Sequence, residues 1–198
     1  MKKHKTILLA FLATLMISAT SGCSGNTTVS SPETSENGNI VTNQPSKNNG
    51  IAVNEISVNP VEEANANDTG FRLNRVIDSG QTSDSGEPYI YLDVTISNHT
   101  DKSYDLNVLN NFYILLANED EVHFDVRTQL YGTKNISNYI ASPFNIPANG
   151  EFSGIIGGFI LPKDSQDFTV CFFPTQDDAN NKSNVIKVNI SSQNIEKL

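Results

Sequence analysis

The ten residues "YIYLDVTISN", Tyr89–Asn98, decide the fold. Ile90, Leu92, Val94 and Ile96 fall on one face, and Tyr91, Asp93, Thr95 and Ser97 fall on the other. Strict alternation over a β-branched run marks a strand that buries one face and wets the other. The turn-rich "NHTDKS" ends it.

Outward from this strand the pattern recurs. "EVHFDVR" (121–127) sets Val122, Phe124 and Val126 inward and His123, Asp125 and Arg127 outward. "DFTVCFF" (167–173) sets Phe168, Val170 and Phe172 against Thr169, Cys171 and Phe173. "NVIKVNI" (184–190) sets Ile186, Val188 and Ile190 against Lys187 and Asn189. Asn54–Asn59, Phe71–Ile77 and Phe112–Leu116 are shorter candidates. "EFSGIIGGFIL" (151–161) is apolar on both faces, which predicts a central strand. Connectors such as "ANED", "IPANG" and "PKDS" carry turn residues. No segment of the head shows a 3.6-residue period, and Asn135–Ser142 holds one helical turn at most. Strands with regular turn signals and no helices predict an all-β antiparallel β-sandwich over residues 51–198.

The chain start has another character. "MKKHK" is basic, Ile7–Ile17 is apolar, and Ser18–Gly22 is small and polar, the layout of a signal peptide over residues 1–22. The apolar run is shorter than the roughly 20 residues that span a bilayer. "TSGC" resembles a bacterial lipobox, with Thr20 where leucine is usual. That resemblance implies a thioether diacylglycerol, and usually an amide-linked acyl chain such as palmitate, on Cys23. Residues 24–50 are Ser, Thr, Asn, Gly and Pro with almost nothing to bury, so 23–50 reads as a lipidated cysteine and disordered tether. Lipidation would leave Cys171 as the one thiol and preclude an internal disulfide.

The run 87–162 resembles the DUF4352-type immunoglobulin-like domain of bacterial lipoproteins, a fold also described as telokin-like or MPT63-like. The pieces that carry the resemblance are "YIYLDVTISNHTDKSYDL", "NFYILLANEDEVHF" and "NIPANGEFSGIIGGFILP". The turn "NEDE" stands where glycine is common in the family, and "PANGE" separates Pro147 from Gly150. The resemblance implies an extracytoplasmic sandwich and no shared catalytic residues.

Formal net charge is −9, and losing the three lysines of residues 1–22 takes it to −12. Such acidity argues against nucleic acid as a partner. Copper chemistry needs converging His, Cys and Met, but the head holds His99, His123 and Cys171 and no Met. Neither Gly-x-Ser-x-Gly nor Ser-x-x-Lys occurs, so no catalytic residue and no cofactor is assigned. Glu119, Asp120 and Glu121 are weak candidates for calcium, without the spacing of a helix-loop-helix calcium loop.

Tyr131, Tyr139 and Phe144 lie in the longest connector, Thr128–Pro147, and are the candidate binding residues. The expected protein is a non-enzymatic lipoprotein on the extracytoplasmic face of the cell membrane. It would bind a cell-envelope protein or wall ligand and touch the membrane through its N-terminal lipid. The alternatives are an envelope enzyme and a loop-acid calcium module.

Overall fold

The computed structural model describes residues 46–48, 51–174 and 183–198. The signal peptide, Cys23 and most of the tether lie outside them. The strands are β1 (Ser46–Asn48), β2 (Ile51–Val58), β3 (Glu63–Ala66), β4 (Thr69–Thr82), β5 (Pro88–Asn98) and β6 (Tyr104–Leu106). After the single-turn helix α1 (Val108–Asn111) come β7 (Phe112–Leu116) and β8 (Glu121–Val122). Helix α2 (Val126–Asn135) precedes β9 (Phe144–Ile146), β10 (Glu151–Ile160), β11 (Phe168–Phe172), β12 (Asn184–Ile190) and β13 (Ile195–Lys197).

Two sheets form an immunoglobulin-like sandwich. The first runs β1-β2-β12-β11-β7-β8, and the second runs β10-β5-β4-β13 with β3 paired to β4; β6 and β9 make a separate ribbon. Pairing is antiparallel except at β12–β2 and β13–β4, which are parallel. The sandwich is therefore mixed rather than wholly antiparallel. Its first pair, β1 with β2, begins inside the stretch read as tether.

The alternation of β5 is realised: Ile90, Leu92, Val94 and Ile96 all enter the core. There they meet Phe71 and Leu73 of β4, Ile156 and Phe159 of β10, and Phe168, Val170 and Phe172 of β11. Phe71 of the second sheet meets Phe112 edge-on at 6.0 Å and Phe172 at a tilt at 4.6 Å across the gap, and Phe112 and Phe172 lie side by side in the first sheet at 4.8 Å. Each fully buried ring of this kind contributes roughly 1.5–3 kcal/mol through area removed from water.

Two expectations fail, for one reason. The alternation of 121–127 stops at Phe124, and Val126 opens α2 with its side chain 60% exposed. Asp125 starts the helix: its Oδ1 accepts a hydrogen bond from the Arg127 N–H at 2.8 Å, the side-chain cap that favours Asp at this position. Residues 151–160, read as a central strand, form an edge of the second sheet. Their doubly apolar character has another source. One face enters the core, and Ile155 on the other joins Ile77 and Tyr91 in a cluster sealed by Ile136, Tyr131 and Tyr139 from α2 and the segment after it.

Candidate functional site

The connector that carries the three candidate rings is mostly structured, and it does not gather them. Phe144 is buried in β9 and stacks on Phe152 at 4.4 Å. Tyr139 packs edge-on against Tyr91 at 5.8 Å, and its hydroxyl donates to the Gly157 carbonyl. Tyr131, half-buried on α2, meets Tyr89 edge-on at 6.0 Å. Burial pushes the Tyr91 and Tyr139 hydroxyls well above the usual phenol range. These rings close over hydrophobic residues, and the three do not share one exposed patch.

The loop acids are placed as turn residues. Glu119 adopts φ +68°, the left-handed conformation that favours glycine, so the departure from the family pattern falls where the backbone is least suited to it. Asp120 Oδ2 accepts from Asn118 Nδ2 at 2.7 Å, and Glu121 pairs with His123 at 3.2 Å. Among the described residues no group of three or more His, Cys, Asp and Glu side chains lies close enough to hold a metal ion. His99 contacts Asn65 Oδ1 at 3.1 Å.

Cys171 is fully buried on the outer side of the first sheet with Tyr113, Phe173 and Val185. Burial pushes its thiol up to about 12, so it stays protonated and unreactive.

Asn98, at the end of β5, does work that alternation cannot reveal. Its Nδ2 donates to the carbonyls of Lys102 (2.8 Å) and Pro147 (3.0 Å). Its Oδ1 accepts from the Thr100 N–H (2.9 Å) and Thr100 Oγ1 (2.8 Å). One buried amide thus ties the turn after β5 to the loop before β10.

The outer face of the second sheet is divided. Tyr89, Tyr91, Ile77 and Ile155 take up the half under α2. The other half is a polar floor whose members are already bonded to one another. Asn74 Nδ2 donates to Asp93 Oδ1 and Thr95 Oγ1, both at 3.1 Å, and Arg72 Nε donates to Asn74 Oδ1 at 3.0 Å. Arg75 Nε pairs with Asp93 Oδ2 at 2.8 Å, and its Nη1 pairs with Glu196 Oε2 at 3.1 Å. A β-bulge between Leu73 and Arg75 turns both Asn74 and Arg75 toward this face.

Two hollows flank Arg75, each of about 330 Å³. The first is lined by Asp93, Ser153, Asn138 and Ile140. The second is lined by Val61, Asn74, Gln193 and Glu196. Each has one exposed aliphatic wall, Ile140 (37% exposed) in the first and Val61 (64%) in the second. A wider hollow of about 460 Å³ lies between the β7–β8 turn and residues 162–167, with loop residues on both sides. The Arg75 hollows have the pre-formed floor and convergent polar groups expected of a binding site. Sequence reading missed them. Asp93 and Thr95 were legible as a wet face, but the bulge that adds Arg75 leaves no signal.

Sheet topology and site together define a class: an immunoglobulin-like β-sandwich with a strand-floored polar groove on one outer face. Within that class the chain belongs to the DUF4352 family, a domain of unknown function, whose family model matches residues 42–182. No curated protein matches the sequence.

The solved structures similar to it include three bacterial proteins. The yjhA protein of Bacillus subtilis is 16% identical with a TM-score of 0.47, covering 67% of this chain and 98% of that one. The ycdA protein of the same organism, described as a candidate lipoprotein, is 11% identical with a TM-score of 0.47. That match covers 69% of this chain and 40% of ycdA. MPT63, a secreted protein of Mycobacterium tuberculosis, is 10% identical with a TM-score of 0.42, covering 67% and 97% respectively.

Proposed function

We propose that the protein is a lipid-anchored module of the extracytoplasmic membrane face that binds a partner and catalyses no reaction. One observation carries the reading: a basic and apolar leader, a cysteine at its small-residue end, a polar stretch and then a sandwich follow one another in that order. A leader exports the chain, and an acylated Cys23 holds it. Two or more acyl chains give stable anchoring at about 0.8 kcal/mol per buried methylene. The 22 residues between Cys23 and β1 (24–45) would have a root-mean-square reach of roughly 25 Å as a flexible coil, which would let the sandwich meet partners near the bilayer. The groove beside Arg75 supports the binding half of the reading, because its side chains form a pre-formed set of donors and acceptors.

Mass spectrometry of the mature N-terminus tests the anchor. A diacylglyceryl-modified Cys23 is expected, and Cys23→Ala should leave the leader uncleaved or the head free of membranes. A mature peptide that begins at an unmodified residue after Cys23 overturns the lipoprotein reading. In-cell crosslinking from position 140 tests the module: capture of an envelope partner is expected, and recovery of lipid alone overturns it.

A further inference from the structure

The two hollows and the charges between them define the chemistry of what they hold. We infer that the groove centred on Arg75 binds an extended, positively charged peptide segment of a partner protein, a proposal that rests on the binding-module reading. The segment would place a basic side chain beside Asp93 and Glu196 and an apolar side chain at each end, against Val61 and Ile140.

The sheet sets the spacing. The first hollow lies over β5 and β10, and the second is bounded by the β13 side of β4. From β10 to β13 there are three interstrand gaps in the order β10-β5-β4-β13. At about 4.8 Å per gap, the groove spans roughly 14 Å. An extended peptide rising about 3.3 Å per residue covers that in four residues. Side chains at i, i+2 and i+4 of an extended chain point to one side, so an apolar–x–basic–x–apolar pattern presents all three to the groove together.

The charge follows from the lining. The ionisable side chains of the two hollows are Arg75, Asp93 and Glu196, which leaves one negative charge in excess on a chain of net charge −9. Arg72 lies on the same face, held by Asn74 and Thr95. Lys197 follows Glu196 on β13, where alternation sends it to the opposite side. Glu196 is the accessible acid, its side chain 59% exposed and engaged with Arg75 through one oxygen. Asn138 and Ser153 also line the first hollow, the Ser153 hydroxyl sharing a hydrogen bond with Thr95 Oγ1 at 3.3 Å. No aromatic ring lines either hollow, so the stacking platform that a sugar would use is lacking in their linings.

The test uses the full chain and a labelled probe peptide, Gly-Ser-Leu-Ser-Lys-Ser-Leu-Ser-Gly. Fluorescence anisotropy is read against two control peptides, one with Glu for Lys and one with Ser for both Leu. The Lys probe should bind, and each control should bind at least about tenfold more weakly. Glu196→Gln and Ile140→Ser should each weaken the Lys probe by about fivefold, and amide-resonance shifts should map to β4, β5 and residues 138–140. Equal binding of all three peptides, no binding, or binding untouched by both variants overturns the proposal. So does tighter binding of a chitin oligosaccharide at the same resonances. If the probe fails while crosslinking still captures an envelope partner, the module reading stands and this ligand assignment alone falls.

Discussion

Replacing Asn98 tests whether one amide joins two loops. The side chain is 1% exposed and makes four hydrogen bonds, two as donor to the Lys102 and Pro147 carbonyls and two as acceptor from Thr100. Asn98→Ala removes all four. At about 1 kcal/mol net per bond the loss approaches about 4 kcal/mol. Thr100 Oγ1 keeps its own bond to the Lys102 carbonyl at 2.9 Å, which brings the figure to about 3 kcal/mol. For a domain of this size that lowers the melting temperature by about 6–12 °C.

Asn98→Asp keeps the shape and reverses one end. An oxygen then faces two carbonyl oxygens in a buried site, so the charged form is disfavoured and the folded-state pKa rises above the unfolded value of about 3.9. A raised folded pKa means stability is full below the unfolded value and is lost as pH rises through the folded one. At pH 7 the aspartate variant should therefore be less stable than the alanine variant, and the gap should close toward pH 4. Urea unfolding at both pH values gives the answer. An aspartate variant as stable as wild type at pH 7 would refute the account of the two carbonyl bonds.

Phe144→Ala should cost about 3–5 kcal/mol in chemical denaturation, because it empties a buried site against Phe152; a loss below about 1 kcal/mol would show the ring to be dispensable to the fold. Glu119→Gly should raise stability by about 0.5–1 kcal/mol, since glycine accepts φ +68° without strain, and no gain in melting temperature would contradict this. Asp125→Ala should cost about 1 kcal/mol and reduce helical signal by circular dichroism. The Arg127 guanidinium beside Asp125 holds its carboxyl below the usual range, so wild type should lose that stability as pH falls through the folded value while the variant does not. The thiol of Cys171, raised by burial to about 12, ionises first in the unfolded chain. Stability should thus fall as pH rises from about 9, by up to about 1.4 kcal/mol per unit, and Cys171→Ala should lack the onset of that decline.

How much was legible follows from particular residues. The inward sets of β5, β11 and β12 could be read because each alternates without interruption, and Phe168, Val170, Phe172, Ile186, Val188 and Ile190 all reach the core. Helix α2 could not. Val122, Phe124 and Val126 continue a period of two into the helix, and the residues of "VRTQLYGTKN" that face a partner, Thr128, Gln129, Tyr131 and Gly132, are mostly polar or small and make no apolar stripe. The same helix explains the misplacement of β10, because an apolar outer face looks alike whether a sheet or a helix covers it. The groove depends on a bulge and on β13, three residues that pair in parallel with β4 from 119 positions away. Neither has a local sequence cause.

The placement of β1 and β2 has a mechanical consequence. Tension arriving from the N-terminal side would enter the first sheet, whereas a ligand held at Arg75 would pull on the second. β1 folds back antiparallel on β2, so it would peel away one pair at a time under low force. β2 lies beside β12 in parallel, with five residues of each in register, and would be sheared along its length, which loads those bonds together. A load between an anchor at Cys23 and such a ligand would therefore cross the sandwich through its phenylalanine core, with a weak outer hairpin that gives way first and a stiff strand behind it.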